Sequence, residues 1–259
     1  MSEVAKGLPE VDVNEYGGKK EGVRQAMNRR LFMQLIVFAA KNGSKAEDAS
    51  KELAQKLDKA KIPSVVYADT MDPTSFGLLT WSEDPAHFVD RVRPLFSDGE
   101  LGKVRFRNDF GMIGRTYGTG HDPDLEFVLL RRPVENVLTA KYGWHVWYPL
   151  RRTGSFAKLE PIDQSHILRE HAALGMAYGQ AELATDVRLA CHGLDGSDNE
   201  FVIGLVSDRL HPLSHLVQAM RKTRQTSEFI SQMGPFFVGR VIHRVAAAAS
   251  ENAASGSPA

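Results

Sequence analysis

The stretch HILREHAALG, residues 166–175, carries two histidines five residues apart in a segment with helical periodicity. On an ideal helix turning about 100° per residue, His171 shares a stripe with Ile167, Leu168, Leu174, Gly175 and Tyr178. His166 falls on the far side with Arg169 and is a surface residue. An imidazole on an apolar stripe serves either as a core histidine bonded to a carbonyl or carboxylate, or as a ligand to something seated against that face. Gly175 one turn on, and Ala172 beside it, leave the helix surface near His171 open to a flat ligand or to a close strand. Two basic clusters accompany the histidine: YPLRR at 148–152, ending a strand, and MRKTRQTS at 220–227, ending a helix. Each is either a solvated face or, taken with the other, a holder of ligand carboxylates through charge-assisted bonds. A planar ligand with several carboxylates and a metal centre seeking one imidazole would use all three features.

Other arrangements carry less. His211 and His215 in HPLSH stand at i, i+4, but no glutamate completes a zinc-hydrolase pattern around them. HILREH has one residue too many between its first histidine and the glutamate for the H-x-x-E-H metal motif. GTGHD lacks the strand-turn-helix context of a phosphate loop, and there is no G-x-S-x-G nucleophile elbow. The single cysteine, Cys191, excludes an internal disulfide and a cysteine-rich metal site, and reads as a small buried side chain on a strand.

These groups need a scaffold. In a chain of 259 residues, Lys+Arg and Asp+Glu are balanced at 32 each, so no global field draws the protein to nucleic acid or an anionic membrane. The longest apolar run, LFMQLIVFAA at 31–40, is a buried strand, far short of the roughly 20 residues that a membrane span requires. The first residues lack the apolar core of a secretory signal, and a cytoplasmic location is expected. After residue 31 the order of patterns is strand, helix, strand, strand, helix, closed by the extended KVRFRNDFGMIGRTYG. The second half repeats it, with GWHVWYPLRR, EPIDQSHILREHAALGMAYG, TDVRLACHG, EFVIGLVSDRLHPLSHLVQAMRK and GPFFVGRVI. Two β-α-β-β-α-β units predict an α+β protein: two ferredoxin-like repeats closing as a dimeric α+β barrel within one chain. The predicted boundaries are a flexible extension at 1–28, a first half at 29–120, a connection at 121–143, a second half at 144–245 and a disordered tail at 246–259.

WYPLRR, SFAKLEPIDQSHILREHAALG, GLDGSDNEFVIGLVSD and MGPFFVGR, in that order, make the second half resemble the chlorite dismutase family, which includes the coproheme decarboxylases of bacterial haem synthesis. The likeness covers residues 144 to 240 well and the first half only in pattern. It implies that His171, in the context E-H-x-x-x-G, is the axial ligand of a haem iron. It implies that Tyr148 is the radical-forming tyrosine of decarboxylases, where chlorite dismutases carry an aliphatic residue. Arg152 matches the basic residue that binds a propionate and assists the reaction; Ser227, with Lys222 or Arg221 before it, matches a propionate holder. Phe156 stands where the family usually has tryptophan. The distal residue is read three ways: Asp186 counting back from GLD, Ala184 counting forward from His171, or Arg188 if two residues are deleted.

The resemblance therefore implies an oxidoreductase with haem b or iron-coproporphyrin III as cofactor, using hydrogen peroxide to decarboxylate iron-coproporphyrin III to haem b. Its rivals are a chlorite dismutase or haem peroxidase, a non-enzymatic haem-binding protein, and a relative that keeps His171 only as a core residue. Relatives commonly form pentamers, so a homo-oligomer is expected, with no nucleic acid or membrane partner.

Overall fold

A computed structural model describes residues 8–41 and 43–247; the greater part of the expected tail at 246–259 lies outside them. An N-terminal hairpin, β1 (Glu15–Lys20) and β2 (Val23–Met27), precedes the first repeat. That repeat comprises β3 (Phe32–Ala39), α1 (Ala46–Ala60), β4 (Ser64–Asp69), β5 (Ser75–Ser82), short helical turns at Phe88–Val92 and Arg93–Phe96, β6 (Arg105–Phe106) and β7 (Met112–Arg115). After a helical turn at Phe127–Arg131 and α2 (Arg132–Leu138), the second repeat runs through β8 (Trp144–Arg152), α3 (Gly154–Ala157), α4 (Pro161–Gln180), β9 (Thr185–Ala190) and β10 (Phe201–Ser207). It ends with α5 (Leu210–Met220), α6 (Arg224–Phe229), β11 (Ile230–Met233) and β12 (Phe237–Val245).

The strands pair antiparallel in the order β10-β9-β7-β3-β5-β4-β12-β8, and β8 pairs back to β10, closing a barrel. The two repeats thus form the single-chain α+β barrel that the alternating patterns predict. Strand alternation sorts the side chains. Met33, Leu35 and Val37 of β3 join Tyr67, Trp81, Trp147 and Phe237 in the interior, while Phe38 turns outward to meet Leu53 and Leu57 of α1. Closure leaves room for these large rings only where a neighbour is small. A methyl group on Gly204 would lie 2.5 Å from the ring of Trp147, its cross-strand partner, and one on Gly77 would lie 2.7 Å from Phe237. Replacing Gly204 by alanine is expected to cost about 1–3 kcal/mol through overpacking, read as a lowered urea midpoint at unchanged slope.

Two expected boundaries change. Within the extension expected to be flexible, residues 15–27 form the β1–β2 hairpin. Polar composition hid it because it is held by ion pairs and amides rather than apolar periodicity. Glu15 meets Arg115 at 2.7 Å and Arg30 at 3.7 Å, and the Gln25 side chain donates to the carbonyls of Asp122 and Pro123. The connection at 121–143 is not an open loop, since its helical part buries Leu129, Pro133 and Val137, the last against the barrel interior. Among the described residues no helix is long and apolar enough to cross a membrane.

One polar pair is enclosed in the barrel. The Tyr67 hydroxyl on β4 donates to Nδ1 of His145 on β8 at 2.8 Å, and His145 Nε2–H donates to the Tyr142 carbonyl at 3.2 Å. His145 is fully buried. Burial, with the charge of Arg244 adding to it, pushes its pKa down to about 3.

Candidate functional site

The outer face of the second repeat, under α4, is the place where chemistry-bearing side chains gather. In β8 the pleat sends Val146, Tyr148, Leu150 and Arg152 to this face, while Trp147 points into the barrel. β9 does the same with Asp186 and Arg188, since Val187 and Leu189 belong to the interior. Cross-strand register aligns Arg188 with Ile203 of β10, and Ile203 with Tyr148 of β8. Arg188 and Tyr148 therefore stand level, about 10 Å apart at two strand spacings. One step along, Asp186 aligns with Leu205 and Val146.

α4 covers this row. Ile167 and Tyr178 are buried as the helical phase requires, and Leu174 packs against the cluster of Tyr148, Val146 and Leu205. Leu168, at the edge of the predicted stripe, is 40% exposed instead. His171 is half-buried and His166 exposed, as expected from phase. His171 Nδ1 lies 3.3 Å from the hydroxyl of Thr223, which itself donates to the Met220 carbonyl at 2.7 Å. With its proton committed to Met220, the Thr223 oxygen accepts from His171 Nδ1–H, and the lone pair of His171 is left on Nε2. Burial holds the imidazole below its ordinary pKa, so it is neutral at pH 7, the form that binds metal. A methyl group on Gly175 would meet nothing nearer than Met220 Cε at 3.6 Å, so the helix is open beside His171.

Tyr148 is buried with its ring stacked on Phe236 at 4.6 Å. Burial first, and then the charge of Asp186, raises its pKa, keeping the phenol protonated. Arg152 is held by Glu200 through Nε at 3.0 Å, its guanidinium lying over Phe156 at 4.5 Å and Phe201 at 4.7 Å. Its Nη groups have no hydrogen-bond partner among the described residues. Asp186 is bound by Arg132 and lies 3.3 Å from Arg188. Tyr117, its ring tilted against Phe201 at 5.6 Å, is pushed up in pKa by burial beside the same arginine.

At the end of the face, a groove of about 390 Å³ is lined by Arg221, Thr226, Ile230, Ser231, Gln232 and Met233. Lys222 and Ser227 are exposed, and the Ser227 hydroxyl donates to the Thr223 carbonyl at 3.0 Å within its own turn. The fold thus brings together His171, Tyr148, Arg152, Arg188 and Asp186; of the second basic cluster it is Arg221 that lines the groove. Thr223, Arg132 and Tyr117 escaped the sequence reading. Thr223 stood inside MRKTRQTS and Arg132 inside RRPVENVL, but nothing local marks a partner more than fifty residues away.

A closed barrel of two β-α-β-β-α-β repeats, with one helix-borne imidazole above the outer face of the second, defines the class of protein. Residues 124–242 match the sequence model described as chlorite dismutase. Among solved structures, a heme-binding protein from Thermus thermophilus is 18% identical, with a TM-score of 0.64 over 83% of this chain and 92% of that one. A tryptophan-to-phenylalanine variant of chlorite dismutase from Candidatus Nitrospira defluvii, in complex with cyanide, is 12% identical, with a TM-score of 0.64 over 83% and 92%. An arginine-to-alanine variant of the same enzyme gives the same identity, coverage and score. At these identities the likeness is one of fold. No curated protein matches the sequence.

Proposed function

We propose that this protein binds an iron porphyrin against the outer face of its second repeat and uses hydrogen peroxide to decarboxylate iron-coproporphyrin III to haem b. The observation that carries the reading is the shared face of His171, Tyr148 and Arg152, with Nε2 of His171 bare. The donor set fits such a group. Among the described residues no three His, Cys, Asp or Glu side chains gather to hold a bare metal ion, so an ion at His171 must bring its other donors with it, as an iron porphyrin does.

Bound there, the porphyrin supplies the redox chemistry, and the protein supplies position and electrostatics. His171 Nε2 holds the iron while Thr223 fixes the ring and its tautomer. Arg152, with Nη groups free, receives a propionate carboxylate, and Arg221 in the groove takes another. Tyr148, buried and protonated, keeps a phenolic hydrogen available for transfer and excludes water with Phe236. Thr223→Val is expected to weaken metalloporphyrin retention about 10- to 100-fold, with Thr223→Ser restoring it, as for other partners that orient metal-ligating histidines.

The decisive experiment loads the protein with iron-coproporphyrin, titrates hydrogen peroxide and follows porphyrin mass. Two successive carboxyl losses are expected, and Tyr148→Phe is expected to retain binding while stopping both. An unchanged porphyrin overturns the reading and leaves a binding protein. Arg188 on the same face favours a second reading, conversion of chlorite, which oxygen release on adding chlorite would reveal. The pairing of that arginine with Asp186, and Tyr148 in place of an aliphatic residue, weigh toward decarboxylation. A cytoplasmic homo-oligomer remains part of the proposal, with subunit mass in solution as its measure.

A further inference from the structure

Tyr178 is unused by the chemistry above, yet its surroundings are those of an oxidisable group. It lies on α4 seven residues after His171, two turns along the same stripe and about 10 Å away along the axis. Its ring is 8% exposed and belongs to the apolar cluster that contains Tyr148, Leu213 and Leu216. Its hydroxyl lies 2.5 Å from Nδ1 of His215, on the exposed side of α5, with the two rings 6.0 Å apart. The His211 ring stands 6.0 Å beyond His215. The pair therefore spans from the cluster under α4 to solvent.

We infer that Tyr178 and His215 form a redox pair that carries oxidising equivalents from the porphyrin face to the surface, where small reducing molecules such as phenols deliver electrons. The inference rests on the proposed peroxide chemistry for its source of oxidant. In the forward step Tyr178 gives one electron to a one-electron oxidant generated by hydrogen peroxide, and the oxidant is reduced by one electron. The phenolic O–H bond breaks, and its proton crosses to His215 Nδ1, leaving a neutral tyrosyl radical and an imidazolium. In the return step a phenol at the surface supplies one electron and releases its own proton to water as it becomes a phenoxyl radical, while the proton held by His215 comes back to the tyrosine oxygen. An apolar setting makes the base necessary, since a tyrosine oxidised without proton loss would place an unpaired positive charge among Leu213 and Leu216.

The test begins with porphyrin-free protein and flash-generated ruthenium(III) tris-bipyridine as oxidant. Wild type is expected to form a tyrosyl radical that Tyr178→Phe removes, and His215→Phe is expected to slow its formation about 100-fold, the scale of a positioned proton acceptor. His215 is exposed, so this variant keeps the fold, checked by circular dichroism. Equal rates in wild type and His215→Phe overturn the pair whatever the porphyrin does. In the second arm, iron-porphyrin-loaded Tyr148→Phe, which lacks the radical of the proposed chemistry, is treated with peroxide, and its tyrosyl resonance is expected to vanish when Tyr178→Phe is added. A signal that survives in the double variant overturns the outlet. A positive first arm with porphyrin and tyrosines untouched by peroxide overturns instead the function on which the inference rests.

Discussion

His171→Ala is expected to abolish the nitrogen-ligated absorption spectrum of the iron-porphyrin-loaded protein and to weaken retention by at least about 100-fold, the upper end of what removing a mere orienting partner costs. The size of the effect follows from the donor set, because His171 has Nδ1 bonded to Thr223 and so keeps its lone pair on Nε2. The variant should stay folded. His171 is half-buried, Thr223 keeps its bond to Met220, and the apolar contacts of α4 come from Ile167, Leu174 and Tyr178. Added imidazole should restore the spectrum, since the truncation leaves space beside Gly175. An unaltered spectrum in the variant would assign the iron to another residue.

The second large effect concerns stability. His145 has a native pKa of about 3 against roughly 6.5 in the unfolded chain. Between those values the unfolded state binds a proton that the native state refuses, so stability rises with pH across this window. It is fully present above about pH 6.5 and is lost as pH falls toward 3. At one proton per site, lowering pH from 7 to 4.5 removes about 2–3 kcal/mol. His87 and His171, both lowered by burial, act in the same direction. Urea unfolding at the two pH values measures the sum, and His145→Phe isolates the share of the barrel interior. The variant, less stable at pH 7 because Tyr67 loses its acceptor, should lose less stability between the two pH values, by that same roughly 2–3 kcal/mol, and so show a flatter slope. An identical slope would place the acid sensitivity elsewhere.

The barrel was legible because the order of strand and helix patterns recurs in both halves, although β3 and β8 are near-continuous apolar runs with little alternation of their own. The pleat of a strand bears on the distal question. Ala184, Asp186 and Arg188 differ by two residues each, so a pleated strand sends them toward one face whichever alignment is chosen. What the sequence withheld was height, which depends on register with β10 and β8, and register is a property of pairing. The phase of α4 was equally readable, with Leu168 at the margin of its stripe the exception. The N-terminal hairpin was invisible for a different reason: Glu15, Gln25 and Arg115 act across about a hundred residues and carry no periodic signature. Thr223 is a similar case, a hydroxyl whose importance comes only from the imidazole placed beside it.

The barrel's two seams are unequal. Between the repeats, β4 and β12 are joined from Ser64↔Val245 to Asp69↔Gly239, whereas β7 meets β9 only at Arg115↔Ala190. The molecule is bound like a book, with a spine at β4–β12 and a fore-edge fastened by one clasp. Local opening takes the route with the fewest pairings. A parting of this seam would leave β9, with Asp186 and Arg188, held by β10 alone, whereas β8, with Tyr148, is paired on both sides, to β12 and to β10. The two walls of the same face thus differ in how they are tied, one on both sides and one on a single side with a lone clasp on the other.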